Sequence, residues 1–260
     1  YEICACLVGS EMCIRDRYTI PYRSYYSKNI KNLYMAGRDI STTRLGLAST
    51  RIIGCCAIGG EAVGIAAALC NKYACDPREL APHVKELQQL ILKEDGFLPG
   101  FKNEDEKDLA LKAKITASSW EQGGEPEKVA NGISRKLGEE QNGWVTKPGE
   151  CLIMKWDETK EIREIRLTFE SNFAYPIRVT MAPLRQAQQR NGVPEELVKD
   201  VKIELYREGK KTGEAFVKDN YQRLCSVGIG DVPADEIRVI PESTNGAEQA
   251  VIHEIRVYAK

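Results

Sequence analysis

Gly37, Arg38, Asp39 and Ser41 stand together in the stretch NLYMAGRDIS, directly after a short apolar run. Arg38, Asp39 and Ser41 offer a cation, a carboxylate and a hydroxyl, groups that can hold a polar chain by hydrogen bonds. Gly37 removes a Cβ where a ligand would cross the carboxyl edge of a strand. Arg51 marks the expected start of a helix, whose unpaired N–H groups and partial positive charge suit negative charge. Within that helix Gly60, Gly64 and Ala67 or Ala68 recur at helical spacing, so one stripe has almost no side chain. A bare stripe lets another helix, a sheet or a flat ring approach the backbone. Spacing alone leaves two readings open: tight helix–sheet packing beneath an exposed polar loop, or a ligand site.

A flavin needs this combination. Ribityl hydroxyls want an acceptor such as a carboxylate, and a helix N-terminus can stabilise the negative charge of the reduced ring. Other reactive side chains lack such company. Tyr22 and Arg23 could line a substrate side, Tyr25 and Tyr26 read equally well as packing, and the sequence assigns no catalytic residue. His83 and His253 have no Ser, Cys or carboxylate partner in sequence and read as structural. The nine cysteines contain no C-x-x-C, and they are expected to be buried free thiols behaving as small hydrophobes. Cys55 and Cys56 point to different sides of a helix and cannot clasp one metal. No grouped thiolates suit an iron–sulfur cluster and no carboxylate cluster suits calcium, so no metal is expected.

The elements that must position these groups follow from local pattern. NLYMAG reads as a compact buried strand ended by glycine, followed by a helix from near Thr50 to about Tyr73. A second helix is expected at DPRE, with Asp76 as N-cap, Pro77 at N1 and Glu79 at N3. Its apolar residues Leu80, Val84, Leu87 and Ile91 share one face, and Gly96 closes it. Residues 97–114 are charged and read as a linker. From Ile115 onward, period-two stretches such as IREIRLTFES, VKIELY and VIHEIRVY predict an antiparallel sandwich or jelly roll. Segment 185–200 reads as an excursion with a helical turn. A net charge of −1 argues against nucleic-acid or anionic-membrane partners, and no run of about 18 apolar residues predicts a spanning helix.

Residues 18–80, containing YTIPYR, NLYMAGRDIS and the small-residue helix, resemble the C-terminal flavin-binding segment of the FAD-dependent oxidoreductase family. The resemblance implies a Rossmann-type fold binding extended FAD, with Gly37, Arg38 and Asp39 beside the ribityl and pyrophosphate. It places Arg51 and the helix beginning there, which carries Gly60, against the pyrimidine edge of the ring. Arg38 separates the glycine from the carboxylate, and Arg44 stands where relatives often carry His; a guanidinium cannot serve as a base near neutral pH. No G-x-G-x-x-G follows a strand in these 260 residues, so a site for the ADP half of FAD is missing. Some relatives carry an iron–sulfur cluster, for which this segment has no ligand pattern.

Residues 115–260 resemble the discoidin or galactose-binding-like jelly roll, through TASS, ANG, the following Trp and IREIRLTF. Trp120 or Trp144 would stack on a sugar in a binding module; Trp144 and Trp156 would fill the core in a structural one. Residues 1–17 resemble a translated sequencing-adapter segment of the kind found in metagenomic reading frames. They are expected to be non-native, with the N-terminal part of the same protein lying upstream. The expected fold is therefore α+β and multidomain: the C-terminal fragment of a Rossmann-type FAD-binding domain (18–96), a linker (97–114) and an all-β sandwich (115–260). The expected function is hydride transfer to FAD from a small-molecule, carbohydrate-related substrate, with the fragment inactive alone. The alternative is a non-catalytic carbohydrate-binding sandwich with a structural helical appendage. Compartment, cytoplasmic or exported, is left open.

Overall fold

Alternating apolar residues organise the C-terminal half of the chain. The computed structural model describes residues 2–6, 18–173, 181–187, 189 and 192–260, and these divide into two compact units, Tyr1–Glu104 and Asp105–Lys260. In the second unit, β3 (Lys114–Ala117), β4 (Trp144–Thr146), β5 (Leu152–Phe169), β6 (Val198–Arg207), β7 (Lys210–Val217), β8 (Leu224–Thr244) and β9 (Ala250–Ala259) form one antiparallel hydrogen-bonded network. Its order is β4-β9-β5-β8-β6-β7, with β3 paired to β5. Ile165, Leu167 and Phe169 of β5 and Val201, Ile203 and Leu205 of β6 are fully buried, as period two requires.

Strands β5 and β8 are long and interrupted by register shifts, one between Lys155 and Lys160. Before that shift β5 pairs with β3, and after it with β9. Such shifts bend strands, which lets one strand serve two layers of a β-sandwich. Leu152, Met154 and Trp156 precede the bend, Ile162 and Ile165 follow it, and all belong to one core.

Strand β9 departs from simple alternation. His253, Glu254 and Arg256 are buried together with Ile252, Ile255 and Val257, so both faces of the strand are covered. Arg256 Nε donates to Glu254 Oε2 at 2.9 Å. The expected excursion overlaps α4 (Pro183–Ala187) at residues 185–187, while its last residues, 198–200, begin β6.

In the first unit, β1 (Glu2–Cys6) pairs antiparallel with β2 (Tyr18–Pro21). The remainder of the adapter-like stretch, residues 7–17, lies outside the described residues. Three helices follow: α1 (Arg44–Thr50), α2 (Ile53–Tyr73) and α3 (Val84–Lys93). Among the described residues α2 is the one helix long and apolar enough to cross a membrane by length and composition. Cys55, Ala62, Ala66 and Leu69 on one of its faces are nevertheless buried in the core of this unit, and Glu61 interrupts the other face.

Two expectations about this unit are corrected. Among the described residues NLYMAG makes a single bridge, Tyr34 to Tyr26, to the short segment after the Tyr22–Tyr25 turn. The α-helix expected from DPRE begins at Val84. Pro82 has no N–H to give to a carbonyl four residues back, so residues 77–83 form turns and a 3-10 segment instead. Glu79 Oε2 still accepts from Asp76 N at 2.9 Å, and Leu80, Val84, Leu87 and Ile91 are all buried. The boundary between the two units falls within residues 97–114, with Leu98 buried in the first unit and Ala110 in the second.

Candidate functional site

Gly37 has a φ of 101°, a conformation that glycine adopts without the penalty of a Cβ. The loop beyond it leaves Arg38, Asp39 and Ser41 exposed, while Ile40 turns inward and is buried. Ser41 N donates to Ser24 O at 2.8 Å, tying the loop backbone to the Tyr22–Tyr25 turn. An anchored backbone therefore carries three solvent-facing polar groups.

Arg51 is not at a helix start. Thr43 Oγ1 accepts from Gly46 N at 3.2 Å and caps α1, a helix the sequence did not announce. Thr50 Oγ1 donates to Gly46 O at 3.1 Å, and Arg51 ends α1 as its C-cap. Ile52 then takes an extended conformation and α2 begins at Ile53 without a side-chain cap. Its first-turn N–H groups retain the donor capacity and partial positive charge of a helix N-terminus.

Helix α2 has two unlike faces. Gly59 makes the close approach to the core, because a Cβ there would lie 2.8 Å from the Tyr25 hydroxyl. Gly60 and Gly64 have open space within 4 Å, and Ala57, Ala67 and Ala68 are exposed. The bare stripe thus exists and faces away from the core of its own unit.

At the far end of α2, four reactive side chains gather from segments distant in sequence. The Tyr22 hydroxyl bonds that of Tyr34 and donates to Pro77 O at 2.6 Å. The Tyr34 hydroxyl lies 3.3 Å from Cys70 Sγ. Burial pushes both phenols well above the usual tyrosine range, so both stay protonated at neutral pH. Tyr22 is buried, which removes it from an open substrate-facing surface, whereas Arg23 is exposed. Tyr34, Cys70 and Cys75 line a cleft of about 470 Å³ together with Asn32, Asn71 and Glu79. Sequence reasoning missed this cluster; its one signal was two cysteines spaced across a helix end.

In the second unit, Trp144 and Trp156 are core residues whose indole N–H groups donate to Ser119 O and Leu109 O, each at 2.9 Å. Trp120, Phe173 and Tyr221 are exposed loop residues, at 50%, 57% and 72%. The guanidinium of Arg223 lies 4.4 Å from the Phe173 ring centre. Neither histidine stands in an open site. His253 is buried against Glu170 and Asn142 O, and His83 stacks on Tyr73 with ring centres 3.8 Å apart. Among the described residues no three His, Cys, Asp or Glu side chains are grouped to hold a metal.

Residues 9–91 match the model of the FAD dependent oxidoreductase family. The matched segment contains Gly37, Arg38, Asp39, Ser41, Arg51 and Gly60. No curated protein matches the chain. Solved structures similar to it include a Streptococcus pneumoniae fucose binding module, at 13% identity and a TM-score of 0.44, covering 61% of this chain and 99% of that one. Another is a family 32 carbohydrate-binding module from C. perfringens in complex with galactose, at 16% identity and a TM-score of 0.42, covering 58% and 98%.

Proposed function

We propose that the first unit is the flavin-facing end of an FAD-dependent oxidoreductase, the C-terminal fragment of a Rossmann-type FAD-binding domain. The family match over residues 9–91 carries this reading. The local geometry supports it, because the exposed polar loop, the uncapped start of α2 and the open Gly60–Gly64 stripe are the parts a flavin and its ribityl chain require. Asp39 and Ser41 would bond ribityl hydroxyls, with Arg38 toward the pyrophosphate. Arg51 and the first-turn N–H groups of α2 would meet the pyrimidine edge, where developing negative charge needs donors. Bound FAD supplies the hydride acceptor. The protein groups named here bind and orient; none is placed to move a substrate proton. The substrate is a small molecule, carbohydrate-related by virtue of the attached sandwich.

The residues fit half of FAD, since the chain has no G-x-G-x-x-G to hold the ADP half. NMR titration of the 260-residue chain with FMN and with FAD tests the proposal. Shifts confined to residues 37–41 and 51–64, with weak and similar affinities for the two ligands, are expected. Absence of shifts there overturns the flavin reading, and tight stoichiometric FAD binding overturns the half-site.

A second reading rests on the loops of the sandwich. Exposed Trp120, Phe173 and Tyr221 are ring types that stack on sugar faces, so the second unit would bind carbohydrate without catalysis. Calorimetric titration with fucose and galactose, repeated on Trp120→Ala, tests it. No heat from either sugar removes the reading for these two ligands.

A further inference from the structure

Helix α2 ends in a motif that joins two thiols. Ala74 adopts the left-handed conformation with φ 49°, Ala74 N donates to Asn71 O at 3.3 Å and Cys75 N donates to Cys70 O at 3.0 Å. This pair of bonds is a Schellman cap, which brings the side chains on either side of the reversal into contact. Here those side chains are Cys70 and Cys75. Both cysteines line the cleft that Tyr34 also lines, and Cys70 Sγ lies 3.3 Å from the Tyr34 hydroxyl. The Cys70–Cys75 backbone bond holds the two residues at the close spacing a disulfide requires. Cys75 is the more accessible of the two and Cys70 is buried, so Cys75 meets a small disulfide first. Burial and the neighbouring Cys70 and Glu79 push the Cys75 thiol up, so the exchange runs faster at alkaline pH. The site lies roughly 25 Å along α2 from the helix start that faces the proposed flavin, at 1.5 Å per residue.

We infer that Cys70 and Cys75 form a redox-active dithiol that closes to a disulfide by exchange with a low-molecular-weight disulfide. The Cys75 thiolate attacks one sulfur of the small disulfide, forming a mixed disulfide and expelling one thiolate. The Cys70 thiolate then attacks Cys75 Sγ and displaces the second. One S–S bond breaks and one forms; the two protein thiols are oxidised by two electrons, and their two protons leave on the released small thiols. Closure makes covalent what the cap holds by hydrogen bonds, locking the end of α2 and the floor of the cleft.

Oxidised glutathione is the probe. The chain is incubated with it, alkylated, digested with trypsin and mapped by mass spectrometry. Cleavage after Arg51, Lys72 and Arg78 places Cys70 on residues 52–72 and Cys75 on residues 73–78. The expected product is these two peptides joined, at a mass about 2 Da below their sum, and a native chain with a higher Tm than the reduced form. Because Cys55 and Cys56 share the first peptide, the link must persist in Cys55→Ser and Cys56→Ser and vanish in Cys70→Ser and Cys75→Ser. If Cys70→Ser fails to fold, Cys75→Ser at the accessible position carries the test. A stable glutathione adduct on Cys75 that Cys70 never resolves, or a link that survives Cys75→Ser, overturns the proposal.

Discussion

His253 and Glu170 meet inside the second unit, with ring Nε2 3.1 Å from carboxylate Oε2. The other ring nitrogen faces Asn142 O. Glu170 Oε1 also accepts from Ser171 N at 2.8 Å and from Asn172 N at 2.5 Å. Burial pushes the Glu170 carboxyl up, but the hydrogen bonds from His253 and the backbone outweigh it and hold the group down at about 2.

A folded value below the unfolded one means stability that is whole above about pH 4.5 and is lost as pH falls toward 2. The contribution is on the order of 3 kcal/mol. Denaturant unfolding of the second unit from pH 6 down to pH 2 should show that decline, and Glu170→Gln should lower stability at pH 6 while flattening the profile. An unchanged slope in Glu170→Gln would remove Glu170 as its source.

The glycines of α2 should separate by face. A Cβ at Gly59 would lie 2.8 Å from the Tyr25 hydroxyl and 2.9 Å from Cε1, and Tyr25 is buried. Gly59→Ala should therefore destabilise the first unit by ~1–3 kcal/mol. Gly60→Ala and Gly64→Ala meet no atom within 4 Å and should stabilise by up to ~1 kcal/mol through helix propensity. Thermal unfolding distinguishes them. If flavin lies on the stripe as proposed, the two stabilising variants should also weaken the FMN shifts.

The tryptophans give a contrast in the second unit. Trp144 is fully buried, and Trp144→Ala should cost ~3–5 kcal/mol. Trp120→Ala, at a half-exposed loop position, should stay within ~0.5 kcal/mol. Equal losses at both positions in urea unfolding would mean Trp120 packs against something the fold of this unit does not explain.

Period two made most of the sandwich legible, because Ile165, Leu167, Phe169, Val201, Ile203 and Leu205 each report one buried face. It failed for β9, where a strand covered on both sides hides Glu254 and Arg256 and alternation carries no information. Around the flavin-like segment, residue types were legible and their placement was not. Gly37 has a positive φ and Arg38, Asp39 and Ser41 are exposed, but a single bridge precedes them instead of the expected strand. Arg51 became the end of a seven-residue helix because Thr43 and Thr50 act through side-chain bonds to Gly46, local chemistry that residue spacing does not reveal. The glycine that packs is Gly59, one residue from the predicted stripe. The Cys70–Cys75 contact depends on a left-handed Ala74, and alanine gives no sequence signal for that conformation.

Buried charge on β9 supplies the remaining test. Arg256 and Glu254 have side chains only 3% and 4% exposed, 2.9 Å apart. Removing one partner leaves the other charge desolvated without its counter-ion, whereas removing both takes the charges away together. Arg256→Met alone should cost ~3–5 kcal/mol, and Arg256→Met with Glu254→Leu should cost clearly less than the sum of the single changes. A double-mutant cycle on the second unit, followed by urea unfolding, measures the coupling directly. Strict additivity would mean that the two groups are stabilised by other neighbours and that the ion pair itself contributes nothing.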